Sequence, residues 1–143
     1  MPDEDRIPVT SEAGVVAARQ AGRNLAEDLG FSTTEQTLIA TAISEVARNI
    51  IQYAKCGEIV MCQIIEDGAR GIQVVARDEG PGIPDVDRAM TDGYSTGKGM
   101  GLGLTGARRL MDKFHLSSEV DKGTVITMIK WAPGERRKRV FDG

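Results

Sequence analysis

The sequence predicts an α+β fold in two layers, a mostly antiparallel mixed sheet with helices on one face. Two observations predict it. The predicted strands cluster in hairpins instead of alternating one by one with helices, which favours antiparallel pairing and argues against a Rossmann layout. The chain has 143 residues, 41% of them hydrophobic, which is enough for one domain with a buried core.

The first half of the chain predicts one strand and two helices. Residues 6–10 favour a short strand, and Pro8 favours an edge position because proline cannot donate a hydrogen bond to a neighbouring strand. A helical pattern follows and ends near Gly30. A second helix is predicted over residues 34–54 from a capping-box spacing at Ser32 and from an apolar stripe at helical spacing. The stripe consists of Ile39, Ile43, Val46, Ile50 and Ala54.

The second half predicts two hairpins with a helix between them. Residues 58–66 and 72–78 pair around a turn that contains Asp67 and Gly68. A helix is predicted over residues 102–112. Two strands are predicted at the end of this half, over residues 114–120 and 124–131.

The composition excludes several classes of function. A net charge of −3 gives no electrostatic attraction to nucleic acid or to an anionic membrane surface. No apolar run is long enough to cross a bilayer, and the acidic N-terminus lacks the apolar stretch of a secretory signal. Cys56 and Cys62 have no companions at metal-ligand spacing, so we expect two reduced, buried thiols. We therefore expect a cytoplasmic protein that binds neither nucleic acid nor membrane.

Glu45 and Asn49 stand four apart on the predicted second helix, so their side chains share one face. Mg²⁺ takes few protein oxygens and keeps water and substrate phosphates as its other ligands. An Asn amide oxygen as a direct ligand fits that habit, with a Glu to hold a metal-bound water or a reacting hydroxyl. The same pair also fits an ordinary solvated helix face, with Glu45 paired to Arg48.

Asp78 ends a predicted strand and leads into a turn that contains Gly80 and Gly82. The glycines let the backbone approach a flat ligand closely. A carboxylate at this place can accept a hydrogen bond from an exocyclic amine such as that of adenine. A plain loop turn explains the same residues equally well.

A glycine-rich block lies directly before the predicted third helix. Its alternating glycines can expose several backbone N–H groups to phosphate oxygens, and the helix N-terminus adds positive potential. Lys98 can add a charge near the phosphates. The pattern is not a P-loop, because neither Ser nor Thr follows the Gly-Lys pair. The block comprises Gly97, Lys98, Gly99, Met100, Gly101, Leu102 and Gly103.

Each of these three blocks is a weak motif by itself. Together they supply an amide and a carboxylate for binding a metal, a carboxylate that can accept a hydrogen bond from the edge of a nucleotide base, and backbone N–H groups for binding phosphates. Their co-occurrence in one order predicts a site for ATP with its Mg²⁺ ion.

The three blocks resemble the N, G1 and G2 boxes of the GHKL superfamily, whose ATP-binding domain is the Bergerat fold. Gly123 and Thr124, which open the last strand, are similar to its fourth element. The segments at residues 16–24 and 42–50 resemble, more narrowly, the RsbT-type switch serine/threonine kinases of bacterial stressosomes. This resemblance covers about residues 6–131.

The resemblance implies roles for the site residues. Asn49 would be the Mg²⁺ ligand, and Glu45 would be the general base that accepts a proton from a protein Ser or Thr hydroxyl. Asp78 would bind adenine. The other nucleotide-binding residues would be Gly80, Gly82, Gly97, Lys98, Gly99, Met100, Gly101, Leu102, Gly103 and Thr124.

The resemblance also implies a function. A single GHKL kinase domain over residues 1–131, followed by a basic, flexible tail over residues 132–143, would use ATP and Mg²⁺ to phosphorylate STAS-domain scaffold proteins. On release from the scaffold the kinase would activate a downstream regulator. The alternative is an anti-sigma factor that binds a sigma factor and phosphorylates its anti-anti-sigma antagonist.

Two other classes fit less well. A sensor histidine kinase needs a phosphoacceptor histidine on a separate helical segment, whereas the single histidine, His115, falls in a late predicted strand. A binding module with a dead site is disfavoured because every chemical group is present.

Overall fold

A computed structural model describes residues 4–81 and 103–132 of the chain. Within these ranges the chain forms five strands and three helices, and each element predicted above is present. Their bounds are β1 (Glu4–Val9), α1 (Glu12–Asp28), α2 (Thr33–Tyr53), β2 (Gly57–Glu66), β3 (Ala69–Asp78), α3 (Gly103–Leu110), β4 (Lys113–Glu119) and β5 (Gly123–Trp131).

The strands form one open sheet in the order β1-β2-β3-β5-β4, and each pairing in the described chain is antiparallel. This confirms the predicted α+β fold. Strand β1 lies at one edge, as Pro8 predicted. The β2–β3 hairpin turns at Asp67 and Gly68, whose φ angles of 52° and 83° are both left-handed. Two such residues in a row are typical of the tight turn that matches the twist of a hairpin.

One face of the sheet carries the hydrophobic core. Alternate residues of the three central strands point to this face and pack against α1 and α2. The strand residues of this core are Ile59, Met61, Ile72, Val74, Ala76, Ile126 and Met128. Helix α2 adds Ile39, Ile43, Val46 and Ile50, which confirms the apolar stripe read from the sequence. Burial of each such side chain contributes about 1.5–3 kcal/mol, so α2 is firmly fixed on the sheet.

Helix α2 begins and ends as its sequence requires. The Ser32 Oγ accepts a hydrogen bond from the Glu35 N–H at 3.1 Å, which satisfies one of the free N–H groups of the first turn. At the other end Lys55, with a φ of 72°, takes the chain out of the helix. The helix is therefore a defined, rigid support for the polar side chains that it carries.

The two cysteines differ from each other in the structure. Cys62 is buried, but Cys56 is exposed, so the prediction of two buried thiols is wrong for Cys56. Cys56 stands in the short connection between α2 and β2, and such connections run over the protein surface. Across the two described ranges, no helix is long and apolar enough to cross a membrane.

Candidate nucleotide site

Helix α2 carries Glu45 and Asn49 one turn apart. The rise of an α-helix places them about 6 Å apart along its axis, on the same side. The Glu45 side chain is 10% exposed and Asn49 is 6% exposed. An ordinary solvated helix face would leave both side chains in water. That alternative reading of the Glu-Asn pair is therefore wrong.

The Glu45 carboxylate reaches across to the start of α3. Its Oε1 accepts a hydrogen bond from the Gly103 N–H at 3.0 Å. Its Oε2 lies 3.9 Å from one guanidinium nitrogen of Arg48, and the other terminal nitrogen of that guanidinium lies 3.6 Å from the Glu12 carboxylate. The predicted Glu45–Arg48 pair is thus present, but as a loose contact beside a shorter hydrogen bond to the backbone of another helix.

Asn49 is a buried amide with unused hydrogen-bonding capacity. Its Nδ2 is buried and has no hydrogen-bond partner among the described residues. Since buried polar atoms are nearly always paired, an orphaned amide indicates a group that those residues do not supply. An amide is assigned its orientation from its partners, so either end of the side chain can face such a group.

The residues present fit a Mg²⁺ ion bound with a nucleotide. In residues 4–81 and 103–132 no three His, Cys, Asp or Glu side chains come together as a metal cage. Mg²⁺ does not need one, because it takes one or two hard oxygens from protein and the rest from water and phosphate. Asn49, with an unsatisfied amide and Glu45 one turn away, is such a partial donor set.

Asp78 closes β3 as a buried carboxylate, 5% exposed. Its Oδ1 accepts from the Gly80 N–H at 2.9 Å and, at 3.3 Å, from the Thr124 N–H. Both hydrogen bonds go to Oδ1, so Oδ2 can accept from a ligand donor such as an exocyclic amine. Within residues 4–81 and 103–132, both groups that orient this carboxylate are backbone amides.

Close backbone contacts enclose Asp78 on two sides. Gly123 has a φ of 100°, and a Cβ there would overlap the Asp78 carbonyl oxygen and lie 2.8 Å from the Glu79 Cα. A Cβ on Gly80 would overlap Ala54 at the end of α2. Both positions therefore require glycine, which keeps the turn after Asp78 packed against β5 on one side and α2 on the other.

Thr124 lies beside Asp78 in the paired strands β3 and β5. It is 2% exposed, and its hydroxyl lies 2.9 Å from the Ser118 Oγ of β4. Either hydroxyl can be the donor. Thr124 therefore contributes its backbone N–H to Asp78, while its side chain links β5 to β4.

The described site residues lie along α2. Gly103 contacts Glu45 near the middle of the helix, and Asn49 follows one turn later. The turn at Gly80 packs against Ala54, the residue that directly follows the helix. From Glu45 to Ala54 the axis advances about 13 Å. The structure thus brings Glu45, Asn49, Asp78, Gly80, Gly103 and Thr124 to one side of the core.

Part of the predicted site lies outside the described residues. This part comprises Gly82, Gly97, Lys98, Gly99, Met100, Gly101 and Leu102. The predicted tail also lies outside them from residue 133 onward. Their assignments stay predictions.

Sequence reasoning missed Gly57. A Cβ on this residue would overlap the Arg77 carbonyl oxygen and lie 3.0 Å from the Asp78 Cβ and 2.9 Å from Ile50. Gly57 faces Asp78 across the β2–β3 ladder, so it leaves room for the carboxylate next to α2. A glycine at a strand start was the available signal, but only the strand register shows which residue it faces.

Comparisons with known proteins identify the family of this chain. The family of histidine kinase-like ATPase domains matches residues 8–130. The chain is 50% identical over 131 residues to the serine/threonine-protein kinase RsbT of Bacillus subtilis, covering 92% of this chain and 98% of that protein. It is 35% identical over 106 residues to the anti-sigma F factor of Geobacillus stearothermophilus, covering 69% of this chain and 71% of that protein.

A solved structure shows the same fold. The crystal structure of the RsbU and RsbW domains of a Mycobacterium tuberculosis protein matches with a TM-score of 0.59 and 19% identity, over 92% of this chain and 33% of that longer one. The chain therefore belongs to the histidine kinase-like ATPase domain family and, within it, to the RsbT-type serine/threonine-protein kinases.

Proposed function

We propose that this kinase uses ATP and Mg²⁺ to phosphorylate a serine or threonine of STAS-domain scaffold proteins, and that it then leaves the scaffold to activate a downstream regulator. One observation carries the proposal. A Glu whose side chain is only 10% exposed and an unsatisfied buried Asn lie one turn apart on α2, and a backbone-held Asp lies beyond them at the end of β3. Phosphoryl transfer needs such an arrangement, because its catalysis is mainly positioning and charge neutralisation.

The Asp78 end would bind the adenine. Oδ2 of Asp78 would accept from the exocyclic amine, while Oδ1 stays bonded to the Gly80 and Thr124 amides. Because these donors are backbone groups, the carboxylate needs no rearrangement to receive the base. The glycine-rich residues 97–102, which precede α3 in the sequence, would supply backbone N–H groups to the phosphates.

Asn49 would hold Mg²⁺ through its amide oxygen, with the remaining ligands from phosphate and water. When bound, the ion neutralises charge on the β- and γ-phosphates. The unsatisfied amide supports this assignment. Asn49 is also one helical turn from Glu45, so the two side chains share one face of α2. The substrate hydroxyl and the γ-phosphate would both lie against that face.

Glu45 would act as the general base. Its carboxylate would accept the proton of the substrate hydroxyl as the hydroxyl oxygen bonds to the γ-phosphorus and the bond to the β–γ bridging oxygen breaks. The products are the phosphoprotein and ADP. Oε1 is engaged by the Gly103 N–H, so Oε2, which has the looser 3.9 Å contact with Arg48, would take that proton.

The substrate class rests on the likeness to RsbT-type kinases, which is strong over nearly the whole chain. Because ATP is the phosphoryl donor, we place the activity in the cytoplasm. A second candidate function is an anti-sigma factor that phosphorylates its antagonist, favoured by the 35% identity to anti-sigma F factors. The two candidates share the chemistry and differ in the protein that is bound.

The experiment is incubation with γ-labelled ATP, Mg²⁺ and a purified STAS-domain protein encoded in the same genome, followed by mapping of the label. We expect label on a serine or threonine of the STAS domain, and none when EDTA removes the metal. An unlabelled STAS protein, with autophosphorylation or label on a histidine instead, would contradict the proposal.

Affinity purification from the source cells separates the two candidates. We expect a STAS-domain protein in the bound fraction, released when ATP is added. Tight, stoichiometric capture of a sigma factor would instead establish the anti-sigma function.

A further inference from the structure

Side chains of opposite charge hold the two ends of helix α3. At the N-terminus, the Gly103 N–H donates to the Glu45 carboxylate at 3.0 Å. At the C-terminus, the Lys130 Nζ donates to the Leu110 carbonyl at 3.0 Å. Each charge matches the helix dipole, which favours an anion at the first turn and a cation at the last. The helix has eight residues, so these contacts lie about 12 Å apart along it.

Lys130 is an unusual residue to find in this place. It is 6% exposed, whereas a lysine ordinarily keeps its ammonium group in water. Burying that charge costs free energy unless it is hydrogen-bonded. Its hydrogen bond goes to one of the carbonyls that the end of a helix leaves without a partner. An apolar side chain would fill the space at lower cost, so the lysine serves the placement of α3.

The chain that follows α3 is fixed to the same part of β5. The Asp112 N–H donates to the Ile129 carbonyl at 2.9 Å, and the Trp131 N–H donates to Asp112 Oδ2 at 2.7 Å. Residues 129–131 therefore form one anchor on the sheet for the C-terminal end of α3. Because the helix has only eight residues and packs on α2 as one unit, we expect displacement at this anchor to shift Gly103 as well.

We propose that Lys130 is a positioning residue for phosphoryl transfer: it fixes α3 from the C-terminal end and so holds the Gly103 amide against the Glu45 carboxylate. The hydrogen bond to Oε1 keeps the carboxylate in one orientation, with Oε2 available for the substrate proton. The link to catalysis rests on the proposed role of Glu45, whereas the anchoring of α3 does not.

Hydrogen–deuterium exchange of the full chain tests the anchor without nucleotide. We expect the α3 amides of Lys130→Met to exchange at least about tenfold faster than in the wild type, with α2 unchanged. Lys130→Arg, which can still donate to Leu110, should restore most of the protection. The matched control is Lys122→Met, which removes an exposed lysine in the turn between β4 and β5, away from residues 129–131, and should leave α3 unaffected. Wild-type exchange of α3 in Lys130→Met would overturn the anchor.

Steady-state ATP turnover by the chain alone, with water as acceptor, tests the catalytic consequence. Lys130→Met should lower kcat roughly tenfold or more while KM for ATP changes less than about threefold, because the displaced group is the base and not the adenine site. Lys130→Arg should recover kcat. A rise in KM with unchanged kcat would overturn the positioning role.

One further variant separates failure of this inference from failure of the proposed function. Glu45→Gln keeps an acceptor oxygen for Gly103 but cannot take a proton. It should therefore keep α3 protected and lose turnover. Wild-type turnover by Glu45→Gln contradicts the proposed function, whereas normal α3 exchange in Lys130→Met contradicts the anchor.

Discussion

At the Asp78 end of the site, amides of the adjoining turn and of the paired strand β5 hold the carboxylate, whereas at the Glu45 end an amide of a separate helix holds it. Asp78 accepts from the Gly80 amide in the turn and from the Thr124 amide in β5, and close glycine contacts keep the two packed together. Glu45 depends on the position of α3, and its other oxygen lies 3.9 Å from the guanidinium of Arg48, a side chain that is about half exposed. The first end is fixed by the sheet itself, and the second by the relative placement of two helices.

This difference teaches where each task belongs. An adenine ring needs the same geometry in every cycle, so a carboxylate oriented by amides of paired strands suits it. In the proposed function, Glu45 would be the catalytic base and would meet a protein substrate that arrives and leaves. A carboxylate whose orientation depends on a neighbouring helix can be affected by changes elsewhere in the molecule. Variants at the two ends should therefore alter different measured quantities.

The largest effect is expected at the Glu45 end. Glu45→Gln should lower the rate of phosphoryl transfer by about 10²–10⁴-fold, the range that a general base contributes. The amide oxygen still accepts from the Gly103 N–H, so the fold around α3 and the melting temperature should change little. The rate is measured with γ-labelled ATP and a STAS-domain acceptor. Transfer within twofold of the wild type would remove Glu45 from the base role.

Asn49→Ala should lower metal-dependent transfer by at least about tenfold. Asn49→Asp, which retains a hard oxygen at the same place, should keep measurable activity and serves as the matched variant. The readout is transfer rate against Mg²⁺ concentration. If Asn49→Ala follows the wild-type Mg²⁺ curve, the ion is held elsewhere.

A smaller effect is expected at the Asp78 end from Gly123→Ala. The added methyl would overlap the Asp78 carbonyl, so ATP affinity should fall about tenfold by titration calorimetry. Gly68→Ala is the control, since Gly68 also has a positive φ, of 83°, but has open space around it. Both variants should lose about 1 kcal/mol of stability from backbone strain. Equal ATP affinity in the two variants would show that the close contact at Gly123 does not shape the site.

The smallest effect concerns the cysteines. Burial, followed by the charge of Glu4, raises the pKa of the Cys62 thiol, so less thiolate is present at a given pH and alkylation is slower. At pH 7.5, iodoacetamide should therefore label the exposed Cys56 and spare Cys62 in the native protein, as mass spectrometry of the peptides would show. Cys56 precedes Gly57, the partner of Asp78 in the ladder, so bound ATP should slow its labelling a few-fold. Preferential labelling of Cys62 would contradict the described packing.

Much of the fold could be predicted because local signals and burial agree. The Ser32 cap, the apolar stripe of α2 and the Asp67-Gly68 turn each specify one element, and the hairpins specify antiparallel pairing. The exposure of Cys56 could not be predicted from its residue type, because cysteines are usually buried. It depends on where the connection between α2 and β2 meets the surface.

The kind of site could be predicted from the sequence, but the contacts between its residues could not. The spacing of Glu45 and Asn49 on one helix is a local property, and the structure retains it. The hydrogen bond from Gly103 to Glu45 joins residues 58 positions apart in the chain, so only the packed structure reveals it. The same holds for Gly57 beside Asp78 and for Lys130 at the end of α3, because both follow from strand register and helix packing.

The most direct test of the account measures ATP affinity and transfer rate together for Glu45→Gln and Asp78→Asn. We predict that one variant loses mainly transfer rate and the other mainly ATP affinity. Glu45→Gln should bind Mg·ATP within about threefold of the wild type and transfer at least about 100-fold more slowly. Asp78→Asn should bind at least about tenfold more weakly, yet transfer within a few-fold of the wild-type rate at saturating ATP. Equal loss of both quantities in both variants, or wild-type transfer by Glu45→Gln, would contradict the division of the site into a binding end and a catalytic end.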